Sequence, residues 1–327
     1  MDGFKSLELK EFKGIRSCEK ALTFSKFNLL IGPNNSGKSS ILEALYLFPY
    51  PHIDRRPWPL PSQLRMSELL KRLHGRMESY IYRYTGEARI KGAVKDKVVE
   101  ITLRQGWNFE VKIDGKRVVT YETASEIFGE SPEEFRNHVA FIPNSDWFLQ
   151  ALINALSQEI NWDRVEKSGA HVKIVRNFIS KVVEDKFTEL TIKYNRLMLR
   201  KELFKGIPAY IDLRDVGDGI ERFLCAAIWL EVLKPKVVLW DDLEASAHPS
   251  LIEAAIRWLA EHDWQVIAST HSIDVLHELV ISEIEDARVI QLRKSSNDVL
   301  SYKLLSIEEL ERLFDSGQDV RKLMSWG

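Results

Sequence analysis

The rhythm of apolar and polar positions changes several times along the chain, and each change predicts an element. KSLELKEF sets Leu7, Leu9 and Phe12 among charged neighbours with a period of two, the pattern of a half-buried strand. FNLLIG is apolar throughout, which suits a strand covered on both faces of a sheet, and the two read as a strand pair. SILEALYLF then carries Ile41, Leu42, Leu45 and Phe48 at helical spacing. PYPHIDRRPWPLP ends that helix, because its five prolines between 49 and 61 fit neither a helix interior nor a central strand. This is the start of an insertion. Residues 62–83 predict a basic helical stretch, and 87–121 predict a β meander with Asp114-Gly115 as a hairpin turn. HVAFIP at 138–143 reads as another buried strand. From 147 to 187 the pattern is mainly helical, with Ile174, Phe178, Ile179 and Val182 on one side. TELTIKY, RLMLRKEL and IPAYIDL form a second set of strands. After 216 a helix, KVVLW, a helix, QVIAST and a helix follow one another, an alternation that predicts parallel strands with right-handed crossovers. The hairpin ARVIQLRKSSNDVLSYKLL and a last helix close the chain, and no internal repeat or sustained heptad pattern occurs.

At 327 residues the chain suits one large α/β domain with an insertion, or two domains. The expected division is a core of 1–50 and 210–327, a basic insertion with antiparallel strands at 51–146, and a helical lobe with a hairpin at 147–209. Apolar residues make up 45% and charged residues 29%, a globular profile, and no apolar run approaches the ~18 residues of a membrane span. MDGFKSLELKEF lacks the basic-then-apolar pattern of a signal peptide. Cys18 and Cys225 show no metal-ligand spacing, so zinc is not expected and reduced thiols in a cytoplasmic protein are. Net charge is −2, yet His52 to Arg117 holds 15 Lys/Arg against 8 Asp/Glu. Such a segment on an acidic body forms either a local phosphate-binding footprint or merely a solvated surface, and both readings stay open.

The most specific chemistry lies in GPNNSGKS, residues 32–39, which matches G-x-x-x-x-G-K-[ST] directly after a strand and before a helix. Glycines let the backbone wrap around phosphate oxygens, and the helix start directs unpaired N–H groups at them. A chance glycine turn lacks these flanks. The ATP-binding set is therefore Gly32, Pro33, Asn34, Asn35, Ser36, Gly37, Lys38, Ser39 and Ser40, with Lys38 reaching the β- and γ-phosphates and Ser39 a ligand of Mg²⁺. Such a metal needs a carboxylate from a second strand, and VVLWDD supplies Asp241, with Asp242 beside it to position the attacking water. VIASTHS puts His271 at the end of another buried strand, one helix beyond Asp241, where a γ-phosphate contact is expected. DVGDGIERF opens a helix with two glycines, which serves either as an anion-ready N-terminus or as a tight turn.

Taken in order, FKSLELKEFKGI, FNLLIGPNNSGKSSILEAL, LRDVGDGIERFLCAAIWL, VVLWDDLEASAHPSLIEAAI and QVIASTHSIDVL resemble the ABC-type ATPase heads of the SMC/RecF group. The closer likeness is to the ATPase domains of the overcoming-lysogenisation-defect (OLD) family and to stand-alone prokaryotic AAA-type predicted ATPases. The resemblance implies an α/β P-loop NTPase fold with an ABC-ATPase-like head, a mixed sheet with a parallel core plus antiparallel strands, and an inserted β/helical lobe. It puts Gly217, Asp218 and Gly219 on the signature motif, which contacts the γ-phosphate held by the other subunit, so two ATP molecules would be sandwiched in a head-to-tail homodimer. It puts Asp242 on the general-base position and His271 on the switch histidine, with Lys38 completing the catalytic set. Glu244 and His248 match an acid-and-His-Pro loop near the dimer interface. Asn144 stands after HVAFIP, where a glutamine loop is expected.

Three residues depart from the family pattern. Gly217 replaces the signature serine, Asn144 the glutamine, and Asp242 the usual glutamate, which sets its carboxylate back by ~1.5 Å. The shorter acid predicts slow hydrolysis. A C-terminal Toprim nuclease and a long coiled coil have no counterpart in the text. The expected function is a Mg²⁺-dependent ATPase that dimerises on ATP and gates a partner, DNA or a nuclease, in repair or phage defence. An ATP-gated switch with negligible turnover is the alternative. A small-molecule kinase, a GTPase (no Asn-Lys-x-Asp is present) and a transporter subunit fit less well.

Overall fold

The computed structural model describes residues 3–51, 58, 66–203 and 206–322, so most of the proline-rich stretch and the beginning of the helical segment predicted from 62 lie outside the described residues. Among the described residues sixteen strands form two sheets. They are β1 (Phe4–Phe12), β2 (Ile15–Cys18), β3 (Leu22–Thr23), β4 (Phe27–Ile31), β5 (Glu87–Val94), β6 (Lys97–Arg104), β7 (Asn108–Ile113) and β8 (Lys116–Val118), then β9 (Val139–Ile142), β10 (Phe187–Lys193), β11 (Arg196–Glu202), β12 (Pro208–Asp212), β13 (Val237–Trp240), β14 (Gln265–Ser269), β15 (Ala287–Lys294) and β16 (Val299–Leu305). The large sheet runs β8-β7-β6-β5-β1-β2-β16-β15-β4-β14-β13-β9, with β3 beside β1, and β10-β11-β12 form a separate antiparallel sheet. Its parallel centre is β15-β4-β14-β13-β9, flanked by the antiparallel hairpin and meander. This is the mixed sheet expected of the fold class.

The helices are α1 (Lys38–Tyr46), α2 (Met66–His74), α3 (Tyr121–Ile127), α4 (Pro132–Asn137), α5 (Asp146–Leu156), α6 (Glu159–Ser168), α7 (Ala170–Ile174), α8 (Ser180–Val182), α9 (Asp218–Leu233), α10 (Pro249–Ala260), α11 (Ile273–Ile281) and α12 (Ile307–Asp315). Between α7 and α8 the chain makes a π-helical turn, Val175–Ile179. Phe178 of that turn stacks on Phe223 of α9 at 4.1 Å, and Phe223 stacks in turn on Trp240 of β13 at 6.1 Å. Offset aromatic pairs of this kind add to simple area burial. Here they tie the helical lobe to the strand that ends one residue before Asp241.

Two differences from the sequence reading have simple causes. KSLELKEF and FNLLI are not a pair: β1 pairs with β2, β3 and β5, whereas β4 lies between β15 and β14. The turn after Phe12, with Lys13 at a left-handed φ of 51°, returns β2 onto β1 before β4 begins. Val139–Ile142, grouped with the insertion by position, runs parallel to β13 inside the central sheet. Its four residues are all buried, which is why it reads as an apolar run. The meander itself is as expected, and Asp114 (φ 50°) and Gly115 (φ 79°) form its left-handed turn. α3 and α4 were not anticipated, although Ser131-Pro132-Glu133-Glu134 carries a full capping box at the start of α4.

Candidate nucleotide site at the carboxyl ends of four strands

β4, β14, β13 and β9 are buried at every position, and their parallel register brings their carboxyl ends to one level. Crevices outside such ends are where open α/β sheets bind ligands. After β4 the loop 32–37 wraps toward α1. Gly32 has φ 149°, and a Cβ there would crowd the Leu292 carbonyl and the Ser36 hydroxyl, so only glycine fits. Gly37, at φ 105°, caps α1, with Asn35 also left-handed. Lys38 is buried and its Nζ donates to the Gly32 and Pro33 carbonyls at 3.0 and 3.2 Å. Burial lowers its pKa, while Asp242, Asp241 and Glu244 act to raise it. Asn34 is exposed, Ser36 is buried with a hydroxyl that finds no partner among the described residues, and Ser40 is half-buried.

β13 delivers the two acids. The Ser39 hydroxyl donates to Asp241 Oδ1 at 3.2 Å, and the Ser269 hydroxyl of β14 donates to the same oxygen at 2.6 Å. Burial pushes the Asp241 carboxyl up, Asp242 pushes it further, and the two hydroxyls pull it down. A buried acid next to a second acid is a site that favours a cation. A hydroxyl and a carboxylate are hard oxygen donors of the type Mg²⁺ takes. Among the described residues no three His, Cys, Asp or Glu side chains assemble into a metal cluster, so a cation at Ser39 and Asp241 would complete its shell from nucleotide and water.

Asp242 is held from three sides. Its backbone, at φ 51°, donates to the Ser269 hydroxyl at 2.8 Å. Asn144, just beyond β9, donates to Oδ2 at 2.8 Å, and His271 Nε2 stands 4.0 Å from Oδ1. Glu244 Oε1 accepts from the His271 backbone N–H at 2.7 Å, while its other oxygen is buried without a partner among the described residues. His248, by contrast, caps α10 through Ser250, at 3.3 Å to its N–H and 3.0 Å to its hydroxyl. Gly217 (φ 102°), Asp218 and Gly219 open α9, and a Cβ on Gly219 would fall inside the Ser246 carbonyl. The start of α9 therefore rests against the loop that carries the acids.

Predicted residues from three strand ends thus meet around Asp241 and Asp242, together with Asn144. Sequence reasoning missed three neighbours. Ser269, within VIASTHS, was legible only as a hydroxyl at a buried strand end. Arg222, the last charge before the apolar run Phe223–Leu230 of α9, is buried and donates to the Pro143 carbonyl at 3.0 Å. Arg321 donates to the His271 carbonyl at 2.8 Å, and no local pattern signals it.

Comparison with known proteins fits this arrangement. The AAA ATPase domain family matches residues 4–56. Residues 110–276, just over half of the chain, match the family described as "AAA domain, putative AbiEii toxin, Type IV TA system". The DNA replication and repair protein RecF of Vibrio vulnificus is 54% identical over 41 residues, 12% of this chain and 11% of RecF, so the chain spans only about a tenth of that relative. An SMC head crystallised with the C-terminal winged-helix domain of ScpA aligns over 94% of this chain and 99% of its own, with TM-score 0.66 and 15% identity. The SMC head domain from Thermotoga maritima aligns over 93% and 99%, with TM-score 0.55 and 17% identity. The chain has the fold of the SMC head domains and belongs to the family described as "AAA domain, putative AbiEii toxin, Type IV TA system".

Proposed function

We propose that this chain is a Mg²⁺-dependent ATPase whose two copies close head to tail on ATP and thereby change their grip on a partner linked to DNA. The observation that carries the reading is the placement of Asp242, with one oxygen held by Asn144 at 2.8 Å and the other 4.0 Å from His271, beside an Asp241 that engages Ser39. Loop 32–40 and Lys38 bind the phosphates. Bound Mg²⁺ supplies charge neutralisation of the β- and γ-phosphate oxygens. Ser39 and Asp241 would hold it, Asp242 accepts the proton of the attacking water, Asn144 fixes that carboxylate, and His271 faces the γ-phosphate. Gly217, Asp218 and Gly219 meet the nucleotide of the second copy. RecF, which shares the 41-residue match, is named for DNA replication and repair, and that supports the DNA link.

Phosphate release measured in a single turnover tests the reading. Lys38→Ala and Asp242→Asn should each lower the rate by about 100-fold or more, the scale of losing a central electrostatic or acid–base contribution. Wild-type rates unchanged by either substitution refute it. The shortness of Asp242 favours a second reading, an ATP-gated switch that hardly turns over. If Asp242→Glu raises the rate by about tenfold or more, the natural chain is tuned to stay loaded; a wild-type rate near ~1 s⁻¹ rejects the switch.

A further inference from the structure

We propose that the face formed by α2 and the two 3-10 turns after it, residues 71–84, docks the phosphate backbone of a nucleic acid. This rests on the partner half of the reading above and narrows it. The basic segment 52–117 divides into two electrostatically different parts. On β5, β6 and β7 of the meander the cations are neutralised locally: Arg89 and Arg104 pair with Glu87, Lys91 with Glu100, Lys97 with Asp96 and Asp114, and Lys112 with Glu110, whereas Lys116 and Arg117 of the short outer strand β8 have no carboxylate partner among the described residues. Paired charges at a surface present little net field to a polyanion.

Residues 71–84 differ. Lys71, Arg76 and Arg83 are exposed, and none of them pairs with a carboxylate among the described residues. Arg72 shares Glu68 at 3.1 Å and lies over the Trp147 ring at 4.4 Å. The Arg76 guanidinium lies 4.4 Å from the Tyr84 ring centre and that of Arg83 5.1 Å from Tyr82. A guanidinium laid on a ring is held in orientation while its N–H edges stay open to phosphate oxygens. Asp298, the acid whose charge couples to Arg83, is already engaged by the Tyr82 hydroxyl at 2.9 Å and Lys294 at 3.1 Å. Tyr84 is itself 51% exposed, so the guanidinium it carries is presented at the surface.

The backbone here is strained. Arg83 and Tyr84 are consecutive left-handed residues at φ 53° and 65°, a conformation costly for bulky side chains. The tie to the nucleotide site is direct. His74, the last residue of α2, lies 2.8 Å from Glu43 Oε2, which also accepts from Lys13 Nζ at 2.8 Å, and the Lys13 N–H donates to the Tyr80 carbonyl at 3.1 Å. Glu43 is buried in α1, one turn past Lys38 and Ser39. The proposed face is thus fastened to the helix that follows the phosphate loop.

The test is fluorescence anisotropy with a duplex of about 30 base pairs, without nucleotide, between about 50 and 200 mM salt. Wild type should bind with a steep salt dependence. The variant Lys71→Gln/Arg76→Gln/Arg83→Gln should bind about tenfold or more weakly, with the slope of log K against log salt reduced by about 2–3, the loss of three phosphate contacts. A control of equal charge change at exposed, unpaired positions, Lys116→Gln/Arg117→Gln/Lys303→Gln, should stay within about twofold. Absence of binding at about 50 mM salt overturns the proposal. So does a control as damaged as the triple variant, or triple-sensitive binding to anionic phospholipid vesicles without duplex binding. Because no hydrolysis is measured, failure here leaves the ATPase reading standing, and a silent ATPase leaves this one standing.

Discussion

The central strands β4, β9, β13 and β14 and the meander β5–β8 belong to one sheet but are built on opposite economies. The central four bury every residue and carry their chemistry only where they stop, in the loops after Ile31, Ile142, Trp240 and Ser269. The meander alternates buried and open positions and spends its outer face on ion pairs such as Lys91–Glu100 and Arg104–Glu87. Strands sealed on both faces act as fixed posts, so the spacing of Asp241, Asp242, Ser269 and Asn144 is set by sheet geometry rather than by side-chain reach. A half-solvated meander has no such rigidity to offer, and it is held to the body by different means.

Three measurements test this contrast. The largest effect should come from Leu239→Ala, a fully buried residue two positions before Asp241, which should cost about 2–5 kcal/mol in denaturant unfolding. A loss below about 1 kcal/mol would mean that the central strands are not the rigid frame.

An intermediate effect belongs to an acid anchored at the base of the meander, Glu130. It accepts from Lys95 at 2.8 Å and lies 2.9 Å from His138 Nδ1. Burial works to raise its pKa, but the hydrogen bonds and charges of His138 and Lys95 prevail and hold it at about 2. Its folded value lies below its unfolded one. The stabilisation is therefore complete above about 4.5 and drains away as pH falls toward about 2. Glu130→Gln should cost about 1–3 kcal/mol at neutral pH and flatten the acid side of the stability curve. An unchanged acid limb would rule out this anchor. Least should follow from Arg104→Ala on the open face, under about 1 kcal/mol in the same assay and with no change in phosphate release. A larger loss would show that the meander pairs are structural rather than superficial.

The same contrast explains what could be read from the sequence. Loop 32–39 was legible because its geometry is local: glycines, a lysine and a hydroxyl within eight residues, between a strand and a helix. Asp241 and His271 were legible as polar residues terminating apolar runs. The bond from Asn144 to Asp242 was not, because it spans 98 positions and exists only through the adjacency of β9 and β13. Strand order is not written in any one strand's pattern, and β4 was assigned a neighbour it does not have for the same reason. The charge count over 52–117 was right as a sum and silent about pairing, which depends on cross-strand register.

The ends of the large sheet have a consequence for whether it can extend into a second molecule. Its outermost ribs are β8, three residues long, and β9, four residues long and wholly buried. Neither offers the long row of open N–H and C=O groups on which sheets zip together. Growth of this sheet into a second molecule is therefore blocked at both margins. Any contact between two copies would have to use surfaces other than these two margins.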